Sequence, residues 1–426
     1  MNPKKILGAV VLANALVISS SNTAFSAEND LETLRQTVEQ LQEQLVQVRE
    51  QLAEQEKSLA QKEDVDVLRE EIRVQQKAFL NVDKNGIGVA YNDSIVHLAG
   101  YGSTIFADKS SQNSSFNQVK FAPIFHYQYK DLMLLESELE VNVGEDGETE
   151  IGLEYLTLDL FLNDYMAVIA GKFLSPIGQF RQNIHPSWIN KLPSAPPGFG
   201  HDGAAPISDV GIQLRGGLPS LGSVKTNYAV YIANGPELDA MTEGGDVELE
   251  GIMAEGFTRD ADGGKVVGGR FGILPIPSLE IGLSGATGNA TITQLDGNSV
   301  TGDASRSYRV VGTDFAWNNK AMGIRGEYVK STVGGAAGSM APEGAEWKAW
   351  YMQGSYKILP TKLEGVVRYS DFDSPHSSED QTQWALGINY LFSSNVIAKA
   401  AYEFNSGASG QPSDIDTLLL ELAFGF

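Results

Sequence analysis

The sequence predicts an all-β protein: a transmembrane antiparallel β-barrel of about 16 strands, preceded by an α-helical coiled coil. Three observations carry this expectation. The C-terminal residues alternate in character with a period of two, and so do many segments before them. The connections between those segments alternate between short and long. No apolar run reaches the ~20 residues that a membrane helix needs. A membrane chain without such helices crosses as a closed barrel, because every backbone N–H and C=O must be paired within the lipid.

The C-terminal strand shows the alternation most clearly. Leu418, Leu420, Leu422, Phe424 and Phe426 share one face, and Thr417, Leu419, Glu421, Ala423 and Gly425 share the other. Successive strand residues point to opposite sides, so the first set is expected against lipid and the second toward a lumen. The terminal aromatic, with Phe424 two residues before it, resembles the signal by which the barrel-assembly machinery recognises Gram-negative outer-membrane barrels.

At the other end, Lys4 and Lys5 precede the apolar run 6–18, and Ala24-Phe25-Ser26 offers a small-x-small cleavage site. Residues 1–26 therefore read as a secretory signal peptide. The 426-residue chain has no cysteine and a net charge of −23. Disulfides and thiolate sites are excluded, and an acidic balance does not suit nucleic acid, whose backbone is read by cations.

Residues 27–80 are expected to form a periplasmic coiled coil. Leu31, Leu34, Val38, Leu41, Leu45, Val48 and Leu52 recur three and four apart, the spacing of a helical seam. The pattern lapses at Lys62 and Asp66 and restarts at Val65, Leu68 and Ile72. A single helix would leave this stripe in water, so the segment implies self-association.

From 81 to 426 glycine, tyrosine and phenylalanine become frequent and the period falls to two. The first barrel strand is expected near 95–107 and the last at 415–426. Tight links fall at Lys130-Asp131, Asn163-Asp164, Leu218–Gly222, Pro275–Pro277, Asn318–Lys320, Leu359-Pro360 and Ser393-Ser394. Longer loops separate them. Short turns on one side and long loops on the other place both termini in the periplasm. Tyr129, Phe161, Trp317, Tyr356, Phe392 and Phe426 sit beside the short turns as an interfacial girdle.

Two long connections draw attention. Residues 174–208 carry Arg181, His185, Trp188, Lys191 and His201, with Pro176, Pro186, Pro193, Pro196 and Pro197 stiffening the backbone. Folded inward, this loop would form the narrowest point. Residues 234–263 hold nine carboxylates against Arg259 alone, and read as a solvated external loop or one bridged by cations among lipopolysaccharide. On the lumen side, Glu136, Glu138 and Glu140 form an acidic row opposite Lys120 and His126. Those charges either set up a transverse field or pair across strands.

No catalytic constellation is present. His97, His126, His185, His201 and His376 lack metal-ligand spacing, and neither a nucleophile elbow nor a phosphate loop occurs. No enzyme activity, cofactor or metal is expected.

Gly171–Gly178 (GKFLSPIG), Val210–Gly217 (VGIQLRGG) and the terminal Phe426 resemble phosphate-selective-type outer-membrane porins. The resemblance covers roughly 95–426. It implies a homotrimer of 16-stranded barrels, a third loop narrowing the pore, and an arginine ladder for anions formed by Arg181, Arg215, Arg270, Arg325 and Arg368. The acidic row departs from that pattern. The leading coiled coil is similar to related porins with a periplasmic stalk and to siderophore-uptake porins.

The expected function is passive diffusion of small hydrophilic or charged solutes, anions among them, through an outer membrane whose lipids surround the barrel. Arg181, His185 and Lys191 are expected to meet the solute. Two rivals are a substrate-specific uptake barrel for a siderophore or sugar, and a barrel anchoring a stalk between outer membrane and cell wall.

Overall fold

The computed structural model describes residues 88–426, apart from 92, 111, 145, 202, 220–223 and 359–360. The expected signal peptide and coiled coil lie outside the described residues. Strand β1 (Gly88–Tyr91) folds back on the start of β2 (Ser94–Lys109). A meander of hairpins continues through β3 (Ser115–Tyr129), β4 (Met133–Val143), β5 (Thr149–Asn163), β6 (Met166–Leu174), β7 (Ser208–Gly216) and β8 (Lys225–Ala233). Next come β9 (Glu237–Glu243) and β10 (Asp246–Met253), which stand apart, then β11 (Val266–Ile276) and β12 (Leu279–Ala290). Short β13 (Ile292–Leu295) and β14 (Asn298–Ser299) lead to β15 (Arg306–Asn319), β16 (Met322–Val333), β17 (Ala345–Ile358) and β18 (Leu363–Asp373). The last three are β19 (Gln381–Ser393), β20 (Val396–Gly407) and β21 (Thr417–Gly425).

Every wall strand pairs antiparallel with the next, and β21 closes onto β2 from Tyr101↔Gly425 to Lys109↔Thr417. Leaving aside β1 and the four strands that stand apart, the closed wall has 16 strands. Closure leaves no open edge within the wall, as a lipid environment requires.

The burial pattern is turned inside out relative to a water-soluble protein. On β19, Trp384, Leu386, Ile388, Tyr390 and Phe392 are exposed, whereas Gln383 and Asn389 are buried. On β21, Leu420, Leu422, Phe424 and Phe426 face out, and Glu421 is buried. Phe426 stacks on Phe121 with ring centroids 5.9 Å apart, and its backbone pairs with Gly100 at 2.9 and 3.0 Å. The terminal residue is thus part of the seam. Lys130 and Lys320 take left-handed backbone conformations (φ 50° and 41°) in two of the tight turns, the backbone region that lets a short link reverse a twisted ladder.

The expectation for 234–263 needs correction. Instead of an open loop, this stretch builds the β9–β10 hairpin, and β13 runs parallel to β9 with β14 beside it. Leu238, Ala240, Leu249 and Ile252 point away from solvent and join Ile292, Val310, Val329, Trp347 and Tyr351 in a continuous apolar core. Apolar residues that would otherwise line a wet vestibule are therefore covered by the hairpin. Its carboxylates occupy the other face.

Candidate functional site

The 175–207 loop enters the barrel and ties itself to wall strands all around the lumen. At its start Gly178 adopts φ 73°, and the next residue, Gln179, donates its backbone N–H to Glu327 at 3.0 Å and its side-chain amide to Asp314 at 3.0 Å. Phe180 and Phe199 bracket Tyr351, with centroids 6.4 and 5.1 Å away. A π-helical turn over Phe180–Ile184 then swings the chain toward β2 and β4. Such a turn widens the helix by one residue and recurs at functional sites.

Beyond that turn the loop meets the opposite wall. The Trp188 ring lies against Gly425, where a Cβ would come within 2.9 Å of it. Lys191 donates to Glu364, and to Ser355 at 2.8 Å. Asn389 donates to the Lys191 carbonyl at 2.9 Å, and Lys399 to the Ser187 carbonyl and to Glu421. Leu192 is fully buried with Val366, Ala385 and Ala401. Arg368, fully buried, donates to the carbonyls of Ser194 and Ala195, to Ser194 Oγ at 2.9 Å and to Gln383 at 2.9 Å. Ser331 finally holds the Ala204 carbonyl at 2.6 Å. With this many charge-assisted bonds in a low-dielectric setting, the loop is a fixed part of the wall.

Arg181 and His185 come out of the π-turn facing the acidic row. Tyr101 donates to Glu138 at 2.7 Å, and His185 Nε2 lies 3.6 Å from the same carboxylate. The neighbouring acids are paired across strands: Glu140 with Lys120 at 2.7 Å and Glu136 with His126 at 3.0 Å. Cross-strand pairing thus accounts for two of the three row members. Arg181 is only 7% exposed, yet its Nε and Nη2 have no hydrogen-bond partner among the described residues, nor has His185 Nε2. Burial pushes the Arg181 guanidinium down from its ordinary value, and Glu154, Glu140 and Glu255 act against that shift. The side chain stays charged, since arginine does not deprotonate in proteins.

Glu154 escaped the sequence reading. It is the extra residue of a bulge in β5, between Tyr155 opposite Glu138 and Leu153 opposite Leu139. A bulge re-aims one side chain and breaks the period of two, so alternation alone placed it on neither face. The sequence signal that remains is the acidic Glu150 and Glu154 in a segment otherwise rich in leucine.

The remaining arginines are dispersed. Arg215 pairs with Asp159 at 3.0 Å. Arg270 is held by Asp314 at 2.6 Å, Glu280 at 2.9 Å and Asn227 at 2.9 Å. Arg368 is committed to the loop as described, with Glu403 3.9 Å away. Arg325 is half-buried on β16 and acts electrostatically on Lys191. The structure thus brings Arg181 and His185 to the acidic row. It sets Lys191, Arg215, Arg270 and Arg368 in separate neutralised clusters.

The rim of the site has an acid-sensitive tie. His201 of the loop contacts Glu255 at 3.0 Å, and this bond holds the Glu255 carboxyl below its usual range despite partial burial. A depressed carboxylate contributes stability in full above its ordinary pKa of about 4.3. That contribution vanishes as pH falls through the lowered folded value. Acidification from about pH 5 to about pH 3 is expected to increase proteolytic nicking near 200–204, and Glu255→Gln to show the same nicking already at neutral pH.

No protein-family model matches the sequence, and no curated protein sequence matches it significantly. Solved structures do. Salmonella typhi OmpF in complex with daunomycin aligns over 80% of this chain and 100% of its own at 12% identity, with a TM-score of 0.55. An anion-selective porin from Comamonas acidovorans aligns over 78% and 100% at 14% identity, TM-score 0.52. The outer-membrane channel DcaP of Acinetobacter baumannii aligns over 79% and 99% at 13% identity, TM-score 0.51. At such identities the likeness is one of fold: a 16-stranded barrel of the outer-membrane porin type.

Proposed function

We propose that the protein is an outer-membrane porin through which small hydrophilic solutes diffuse passively, its size limit and charge preference set where Arg181 and His185 face Glu138 and Glu154. The observation that carries this reading is the 175–207 loop, seated inside a closed barrel by hydrogen bonds to β12 and to every strand from β15 to β20. A 16-stranded barrel encloses an aqueous channel, and an inward loop narrows it. The likeness to an anion-selective porin and an outer-membrane channel supports the same reading. Homotrimerisation, insertion by the barrel-assembly machinery through the Phe424/Phe426 strand, and a periplasmic stalk at 27–80 belong to this proposal.

Charge at the constriction favours cations. With histidine counted as neutral, Lys120 is absorbed by Glu140, which leaves Arg181 and Lys172 against Glu136, Glu138, Glu154 and Glu255. Screening cuts off fields beyond about 8–10 Å at physiological salt, so these near charges outweigh the outer hairpin. In planar bilayers under a KCl gradient, the zero-current potential is expected to show mild cation preference. Arg181→Gln should strengthen it and the pair Glu138→Gln/Glu154→Gln should reverse it. Anion preference unaffected by either change would move the selective region elsewhere in the lumen, and absence of any channel would favour the uptake-barrel or anchor reading.

A further inference from the structure

We propose that Glu243, Glu248 and His376 form a divalent-cation site, suited to Zn²⁺, that clasps the β9–β10 hairpin to the opposite rim of the barrel. The three residues come from distant parts of the chain, so no spacing in the sequence reveals them. Glu243 ends β9, the chain turns through Gly244 and Gly245, and Glu248 lies on β10 opposite Met241. Glu243 pairs with Asp246 in the same ladder, so the two glutamates are diagonal neighbours on one face of the hairpin. His376 belongs to the connection between β18 and β19, well round the wall from β8 and β11, which carry the hairpin.

The histidine is oriented as a ligand. Its Nε2 lies 2.8 Å from the Leu249 carbonyl, and a carbonyl accepts only from N–H. The neutral ring therefore presents its lone pair at Nδ1. That atom makes no hydrogen bond among the described residues, and the nearest carboxylate oxygen, Glu243 Oε2, is 3.7 Å away. A metal-bound histidine usually donates its other N–H to a carbonyl or carboxylate, which fixes the ring and raises its basicity. His376 is buried to 7% exposure, so its placement is rigid.

One donor atom from each of the three residues lies within 4.8 Å of the others. Ligands about 2.0–2.2 Å from a tetrahedral Zn²⁺ stand about 3.3–3.5 Å apart, so closure requires only modest rotation of the two exposed glutamates. Neither glutamate has another hydrogen bond among the described residues to hold it back. One imidazole and two carboxylates suit a borderline cation, with water in the fourth position. Asp239, Asp296 and Glu379 add negative potential around the hairpin. The cation would reinforce the existing His376–Leu249 contact and hold the hairpin down across the mouth.

The test is isothermal titration of ZnCl₂ into the purified full-length protein in detergent, with Glu243→Gln/Glu248→Gln and, separately, His376→Gln compared. Barrel integrity is checked by heat-modifiable migration on gels, since the exposed glutamine pair leaves the core untouched. Expected is saturable binding in which one site per chain weakens at least ten-fold in both variants, whereas His201→Gln leaves that site intact. Absence of saturable binding by the wild type, or equal binding by all variants, would overturn the proposal. The readout is independent of conduction, so its failure is distinguishable from failure of the porin reading.

Discussion

Replacing residues 182–197 by a short Gly/Ser linker is expected to raise single-channel conductance several-fold and to admit larger solutes. The cut is chosen from the contacts. The rings of Phe180 and Phe199 lie 6.2 Å apart between centroids and both pack on Tyr351, so keeping the two residues keeps the apolar core beneath the hairpin covered. What is lost is the crossing itself: His185 at Glu138, Trp188 against Gly425, Lys191 at Glu364 and Ser194 at Arg368. Lumen charges freed by the excision become hydrated, which spares the barrel the cost of bare buried ions. Conductance in bilayers and the liposome-swelling cut-off read the result. Unchanged values in both would place the ion path away from this loop.

Most of the wall was legible in the sequence because lipid enforces a strict two-residue period and short turns punctuate it. The expected tight links at 130–131, 163–164, 318–320 and 393–394 fall at the ends of β3, β5, β15 and β19. Both faces of the last strand read correctly for the same reason. The hairpin over 237–253 was missed because its charge dominated the reading, although Leu238, Ala240 and Leu249 already alternate with the acids. A second signal lay in the wall. Trp347, Ala349 and Tyr351 alternate with Trp350 and Met352, so both faces of β17 are apolar there. An inward apolar face means something covers it, and the cover is the hairpin together with Phe180 and Phe199. The arginines were legible as inward-facing but not as paired, because partners such as Asp314 and Glu403 lie on other strands whose lateral register is a property of the closed barrel.

Arg368→Ala is expected to be the most damaging single substitution in the lumen. The guanidinium is fully buried and makes four hydrogen bonds, three of them to the Ser194–Ala195 segment of the inward loop. Glu403, also buried, sits 3.9 Å away and shares Ser194 Oγ. Removing the cation strands the carboxylate and leaves the Ala195 carbonyl without its donor, while the Ser194 carbonyl keeps only Asn190; breaking a buried pair in this way costs about 3–5 kcal/mol. Lysine does not substitute, because a single ammonium lacks the planar fork that reaches Gln383 and the loop together. The substitution is expected to lower the urea concentration at which the barrel loses its heat-modifiable migration and to add flicker to the open-channel current as the loop's second half works loose. Adding Glu403→Gln should recover much of the stability, since it removes the orphaned charge, but not the quiet current, since the loop remains untethered. Recovery of both, or of neither, would mean that Arg368 and the loop are not coupled as the hydrogen bonds indicate.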